Sequence, residues 1–340
     1  MTPKTSSGGN AKRSQLPGWA LPAFGYAISL VCLAWVYQGF DWRRELERLS
    51  RTDWRWVSAA MVTDIVVYTC QGWRWRTLLL PLADVSFIKT TQAVYIGLFA
   101  NEVLPLRSGE VIRCYLQRRW SGLPLSVVIS SAVMERMLDG VWLVLGFWVV
   151  GQYVQLPRLL VEASRLLVLL LMIAAALVAM AVVYRGQTAE AVSRSRWASM
   201  LRHVVGGVHS MGRSRTFLWA ALLSLVYLLL QILPILFLMK GYSLEVSLWA
   251  APVVLVVLRL GTVVPQAPGN VGSFQALTIL ALRLVGIERG DAAGFATLLF
   301  LVVTMPLWLA GFVALLATRM RLGEIHKEAH EDFAARHDTL

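Results

Sequence analysis

The sequence predicts an all-α polytopic membrane protein with six full spans and two broken, re-entrant helix hairpins. Three observations predict it. Of 340 residues, 57% are hydrophobic and only 15% charged, with a mean hydropathy of +0.61. Six apolar runs are long enough to cross the hydrocarbon core of a bilayer. Two more apolar regions are interrupted near their middles by Pro and Gly. A soluble domain of this length needs far less apolar residue for its core.

Residues 1–18 form a polar tail carrying Lys4, Lys12 and Arg13. The apolar run from Trp19 to Phe40 then supplies about 20 residues, enough for a hydrocarbon core of ~30 Å. It is too long for a signal-peptide core and no small-x-small pattern closes it, so it is expected to stay as an anchor. The other full spans fall at 56–72, 124–150, 159–184, 216–239 and 291–318, and the broken regions at 86–120 and 247–286. Together, 19–318 make one transmembrane domain with repeat halves at about 56–150 and 216–318, a basic loop at 185–215, and a final tail at 319–340.

The formal charge of +12 comes from arginines that flank apolar runs, which points to anionic lipid headgroups and away from nucleic acid. If both broken regions return to the side they came from, the tail, the 73–89 loop (Arg74, Arg76, Lys89), Arg118 with Arg119, and the 185–215 loop all fall on one face. The positive-inside rule makes that face cytoplasmic and puts both termini there. The 41–55 loop falls outside with five arginines, largely balanced by Asp41, Glu45, Glu47 and Asp53. From Trp197 to Met211 apolar residues recur at helical spacing, which fits either an amphipathic helix on the inner leaflet or a connector on the protein's own face. Cys32, Cys70 and Cys114 have no metal-like or redox-like spacing and read as small apolar residues.

The two interruptions resemble each other. "VLPLRSGEV" (Val103 to Val111) and "VVPQAPGNV" (Val263 to Val271) share the pattern Val-apolar-Pro-x-x-x-Gly-polar-Val, and each precedes a short arm and a Gly-apolar pair. Pro105 and Pro265 are expected to stop the incoming arm, Pro268 to lie in the turn, and Gly109, Gly269 and Gly272 to let a helix restart. With one hairpin entering from each face, this is an inverted-topology repeat, an arrangement that places transporter sites at the midplane. Restarted helices would aim free N–H groups into the membrane, where they suit a phosphate. Ordinary Pro-Gly kinks in plain spans are the alternative.

Polar residues cluster beside the first turn. Glu110, Arg113 and Gln117 form one stripe, and "ERMLD" sets Glu135, Arg136 and Asp139 inside an apolar run. Each such charge costs about 2.5–3.5 kcal/mol facing lipid at the bilayer centre, so all three must face protein or water. Arg136 and Asp139 are spaced to pair. Both a structural ion-pair network and a pathway for a charged headgroup fit this pattern. Asp64, alone in the second span, belongs to one of these or caps a kink.

"WRWRTLL" (Trp73 to Leu79), "NEVLPLRSGEVIRCYL" (Asn101 to Leu116), "ERMLDG" (Glu135 to Gly140) and "PQAPGNVGSFQ" (Pro265 to Gln275) resemble, in order and over nearly the whole chain, the lysylphosphatidylglycerol synthase transmembrane domain, the flippase-like YbhN-type (UPF0104) family. Similar proteins carry Asn-Asn-x-x-Pro-x-Arg-x-Gly-Glu-x-x-Arg and Pro-Gly-Gly-x-Gly-x-x-Glu at the two turns. Here Glu102 replaces the second Asn, Asn270 a Gly and Gln275 the Glu. In larger bifunctional members this module resembles a flippase that moves aminoacylated phosphatidylglycerol outward, and for this chain the resemblance implies translocation of an anionic or aminoacylated phospholipid, or a lipid-linked headgroup, in a direction the sequence does not give. The chain ends soon after its last span, so no synthase domain is expected and a separately encoded lipid-biosynthesis enzyme is the implied partner.

The expected substrate-binding residues are therefore Asn101, Arg107, Gly109, Glu110, Arg113, Glu135, Arg136, Asp139, Gly269, Asn270, Gly272 and Gln275. Arg107, Arg113 and Arg136 would meet the phosphate, and the acids a cationic headgroup portion or a coupling proton. No catalytic residue, metal or cofactor is expected, because the span interiors hold no His and "HKEAH" (His326, His330) lacks the HExxH order. A membrane-embedded lipid transferase or hydrolase, and a non-catalytic scaffold of a lipid-synthesis complex, are the alternatives; oligomeric state is not legible.

Overall fold

The computed structural model describes residues 20–104, 108–183, 215–261, 268–318, 320, 322–324 and 327–328. Pro105, Arg107, Pro265, the Trp197–Met211 pattern, His326 and His330 lie outside the described residues. Among the described residues every regular element is helical. In order they are α1 (Ala20–Tyr37), α2 (Trp42–Ser50), α3 (Trp54–Leu79), α4 (Phe87–Val103), α5 (Gly109–Ser121), α6 (Leu125–Gly151), α7 (Arg158–Val183), α8 (Arg215–Leu230), α9 (Ile232–Gly241), α10 (Ala250–Gly261), α11 (Ser273–Leu284) and α12 (Arg289–Thr318). A 3₁₀ turn at Pro268–Asn270 precedes α11.

Length and composition let α8 with α9 (Arg215–Gly241, 27 residues) and α12 (30 residues) cross a membrane. At 1.5 Å per residue α12 is about 45 Å long. α3 and α6 match them in length, at 26 and 27 residues, but carry charged side chains inside the protein. Pro234 lacks the N–H that would continue the ladder, and the helix breaks at Gln231 between α8 and α9.

Each broken region becomes two helices packed against each other, α4 on α5 and α10 on α11. Close approach fixes the first pair. A Cβ on Gly109 would lie 1.9 Å from the Gly97 carbonyl oxygen, and the Asn101 side chain caps the Gly109 N–H at 2.9 Å. In the second pair Gly269, Asn270 and Gly272 have positive φ of 71°, 51° and 82°, conformations open to Gly and, at 270, tolerated by Asn. That accounts for Asn270 standing where the resembled motif has Gly. The Gln275 carbonyl accepts the Gly272 N–H at 2.7 Å, so an uncharged acceptor suffices to cap α11.

Two apolar cores form, one around each broken pair. The first takes Ile96, Ala100, Ile112 and Leu116 from α4 and α5; the second takes Val253, Val257, Ile279 and Leu282 from α10 and α11. α3 and α12 join both. Val57 of α3 and Phe295 of α12 pack in the second core, while Trp75 and Leu315, near their C-terminal ends, pack in the first. Glu328, beyond α12, accepts hydrogen bonds from Tyr115 at 2.5 Å and Arg119 at 2.9 Å, so the end of α5 and the end of α12 share one side.

The 41–55 loop contains α2, a helix the apolar pattern did not reveal. Asp41 caps it by accepting the Arg43 and Arg44 N–H groups. Arg48 pairs with Asp291 at 2.6 Å, and the Tyr242 hydroxyl donates to Glu45 at 2.8 Å, which ties α2 to the start of α12. Asp41 and Asp53 of this loop thus act as helix caps, Glu45 accepts from Tyr242, and Arg44 and Arg48 pair with Asp291 outside the loop.

Candidate functional site: a charged ring beside a cavity between the broken helix pairs

α3 runs to Leu79, past the end of its apolar stretch, and carries Arg74 into the protein with no solvent exposure. Arg74 was expected in a cytoplasmic loop. Acids on α6 draw it inside: its Nη2 lies 2.7 Å from Glu135, it hydrogen-bonds Asp139, and its guanidinium sits 4.7 Å from the Tyr227 ring centroid.

From Arg74 the contacts close into a ring. Glu135 meets Arg113 at 2.9 Å, Arg113 meets Glu110 at 2.8 Å, Glu110 meets Arg136 at 2.5 Å, Arg136 meets Asp139 at 3.4 Å, and Asp139 returns to Arg74. Three cations and three anions alternate, each charge lies between two of opposite sign, and the ring is neutral. Such pairing is what permits charges in a medium where an isolated ion costs several kcal/mol. Arg113 is close to both acids but not in hydrogen-bonding alignment with either, and its guanidinium also stacks 4.7 Å from the Trp75 centroid. Trp75 is itself fixed by a 2.8 Å hydrogen bond to Ser131.

The ring has a buried half and an open half. The side chains of Arg74 and Glu135 are fully buried and that of Arg113 is 3% exposed, whereas those of Glu110 and Arg136 are 43% and 47% exposed. Glu110 and Arg136 open on a cavity of about 460 Å³. That volume falls in the range of small-molecule sites, roughly 300–1,000 Å³. Leu98, Asn101 and Glu102 of α4 line it from the first broken pair, and Gly269, Asn270 and Phe274 from the second. α3 adds Asp64 and Tyr68, the α8–α9 break adds Gln231, and α10 adds Arg259. Arg259 donates to Tyr227 at 3.2 Å and to Gln231, which aims the guanidinium at this end of the chamber.

The structure therefore sorts the expected residues. Asn101, Glu110, Arg136, Gly269 and Asn270 reach the cavity wall. Arg113 and Glu135 lie one layer behind in the ring, and Asp139, 23% exposed, joins Arg74 to Arg136. Gly109 serves the close contact of α4 and α5, Gly272 packs on Ser29 of α1, and Gln275 is a cap. Arg74 and Arg259 are additions. Arg74 stands in the "WRWRTLL" stretch and Arg259 is a lone cation in an apolar helix, a signal masked by the hydropathy around it. Among the described residues no group of three or more His, Cys, Asp and Glu could hold a metal, and the three cysteines are unpaired thiols.

Paired charges buried among long apolar helices, with a polar chamber between broken ones, define an integral membrane protein. The chain belongs to the family described as the lysylphosphatidylglycerol synthase TM region, whose model matches residues 23–323. It is 22% identical over 331 residues to a UPF0104 membrane protein of Methanothermobacter thermautotrophicus, covering 90% of this chain and 94% of that one. A UPF0104 membrane protein of Pyrococcus horikoshii is 26% identical over 125 residues, 36% of each chain. The glycosyltransferase AglD of Haloferax volcanii is 27% identical over 118 residues, 34% of this chain and 19% of AglD.

Proposed function

We propose that the protein is a lipid flippase or transporter of the cytoplasmic (inner) membrane, multi-pass with both termini inside. It moves an anionic or aminoacylated phospholipid, or a lipid-linked headgroup, made by a separately encoded enzyme. The observation that carries this reading is the cavity bounded by both broken pairs, with Arg136 and Arg259 on its wall beside Leu98, Leu258, Phe274 and Phe300. Guanidinium forks suit a phosphate, and the apolar side suits the glycerol and upper acyl chains. The two helix pairs enter the bilayer from opposite faces as an inverted repeat. Support comes from the two cores: α3 and α12 each start in the core of the second pair and finish in that of the first.

The test is reconstitution into vesicles with fluorescent phosphatidylglycerol and a membrane-impermeant quencher. Wild-type protein is expected to expose inner-leaflet lipid to the quencher, and Arg136→Ala with Arg259→Ala to abolish most of that exposure. Failure of the wild type to move phosphatidylglycerol, an aminoacylated lipid or a polyprenyl phosphate would sink the reading. The AglD similarity favours a second reading, a membrane-embedded transferase acting on a lipid-linked headgroup. Chemical turnover of a labelled polyprenyl-phosphate substrate by the purified protein would establish it in place of the first.

A further inference from the structure

The ring engages three acids, and two further acids, Asp64 and Glu102, stand on the cavity wall outside it. Glu110, Glu135 and Asp139 each lie between two guanidiniums, so a proton on any of them would sacrifice ion contacts on both sides. Asp64 differs. It sits on α3 in the cavity wall, only 5% exposed, with neither a hydrogen-bond nor an ion-pair partner among the described residues, and its Oδ2 is fully buried. A buried carboxylate oxygen without a partner is costly unless something neutralises it, and at a site inside apolar helices the smallest neutraliser is a proton.

The groups around it give the proton something to act on. Tyr68 lies one turn on along α3, Tyr95 of α4 and Arg259 of α10 are its nearest other titratable neighbours, Glu102 of α4 lines the same wall, and Tyr227 of α8 stands behind Tyr68. α5 and α6 contribute Glu110 and Arg136 to the far wall, while the residues that α9 and α12 put on the wall are not titratable. Arg259 is held by Gln231 and Tyr227 and does not pair with Asp64, so the two opposite charges share one chamber unjoined.

We propose that Asp64 is the proton-binding site of this cavity, loading a proton from the aqueous side when an anionic headgroup binds beside Arg259 and releasing it when the headgroup leaves. The inference rests on the lipid-transport reading of the same chamber. Nothing but an O–H bond forms or breaks: water or hydronium supplies the proton to a carboxylate oxygen and takes it back. A protonated Asp64 removes a negative charge from the phosphate's surroundings, and a bound phosphate favours the protonated carboxyl. By reciprocity each raises the affinity for the other, so lipid and proton move together.

Asp64→Asn mimics the protonated form, and its folding is checked first by thermal stability in detergent. Infrared difference spectra of the purified full chain between acidic and alkaline pH are expected to show a protonated-carboxyl band that is absent from Asp64→Asn. Added phosphatidylglycerol is expected to intensify that band in the wild type, while phosphatidylcholine leaves it unchanged. In vesicles, an imposed pH gradient of one unit is expected to shift the transbilayer distribution of phosphatidylglycerol by about tenfold in the wild type, the equivalent of one coupled proton, and not at all in Asp64→Asn. A spectrum in which Asp64→Asn removes no protonated-carboxyl band present in the wild type, or movement in that variant that still follows the gradient, would overturn the assignment. If no lipid moves in any vesicle, the transport reading fails by itself, and the infrared band still decides whether Asp64 binds the proton.

Discussion

Arg74 of α3 and Glu135 of α6 meet at 2.7 Å with both side chains wholly withdrawn from solvent. The pair joins two long helices and anchors the closed half of the charged ring. Arg74→Ala leaves Glu135 and Asp139 each with one guanidinium neighbour, and Glu135→Ala leaves Arg74 and Arg113 each with one acid, so either change unbalances the ring at a cost of about 3–5 kcal/mol. Replacing both with Met leaves Arg113, Glu110, Arg136 and Asp139 as a neutral chain of pairs and is expected to recover much of that loss. Thermal unfolding of the single and double variants in detergent checks it; equal losses in all three would show that the pair's charge is not what matters.

Gly109 lets α4 and α5 touch. Because a Cβ there would fall 1.9 Å from the Gly97 carbonyl oxygen, Gly109→Ala must push the helices apart. Overpacking of this kind costs at least about 1–3 kcal/mol. A marked drop in melting temperature is expected, together with loss of lipid movement as the Arg113 side of the ring shifts with α5.

Gln275 caps α11 without carrying a charge. Gln275→Glu keeps an acceptor for the Gly272 N–H and is expected to leave lipid movement intact, whereas Gln275→Leu loses the cap at about 1 kcal/mol. A gain of pH dependence in Gln275→Glu alone would indicate that the position participates in the transport cycle.

Glu45, in the loop that carries α2, has its carboxyl raised above the usual 4.5, first by burial and then against the Tyr242 hydrogen bond and the Arg48 charge, which lower it. The folded state therefore binds the Glu45 proton more tightly than the unfolded chain. Its contribution is fully present below the unfolded value and is lost as pH rises through the folded one. Stability is expected to decline over the pH interval just above 4.5 in the wild type, and Glu45→Gln to flatten that decline; identical slopes in the two proteins would contradict it.

Sequence alone located the breaks well because Pro and Gly act locally. The regions read at 86–120 and 247–286 became α4–α5 and α10–α11 within a few residues of those limits. The Glu110–Arg113 and Arg136–Asp139 contacts were also readable, since three residues of helix put such side chains together. What could not be read was the closure of the ring. Arg74 finds its acids 61 and 65 residues away, and hydropathy ends the span at those arginines although the helix continues to Leu79. Arg259 was hidden for the opposite reason, one cation averaged away in an apolar helix whose partners lie across the α8–α9 break.

The most direct measurement is where a phospholipid headgroup sits. Phosphatidylglycerol bearing a photoreactive headgroup, activated in vesicles containing the full chain, is expected to attach to cavity-wall residues such as Leu98, Leu258 and Phe274. Arg136→Ala and Arg259→Ala are each expected to reduce those adducts about tenfold or more, the scale of one lost charge-assisted hydrogen bond. Adducts confined to the outer, lipid-facing surfaces and indifferent to both substitutions would contradict a headgroup site between the two broken helix pairs.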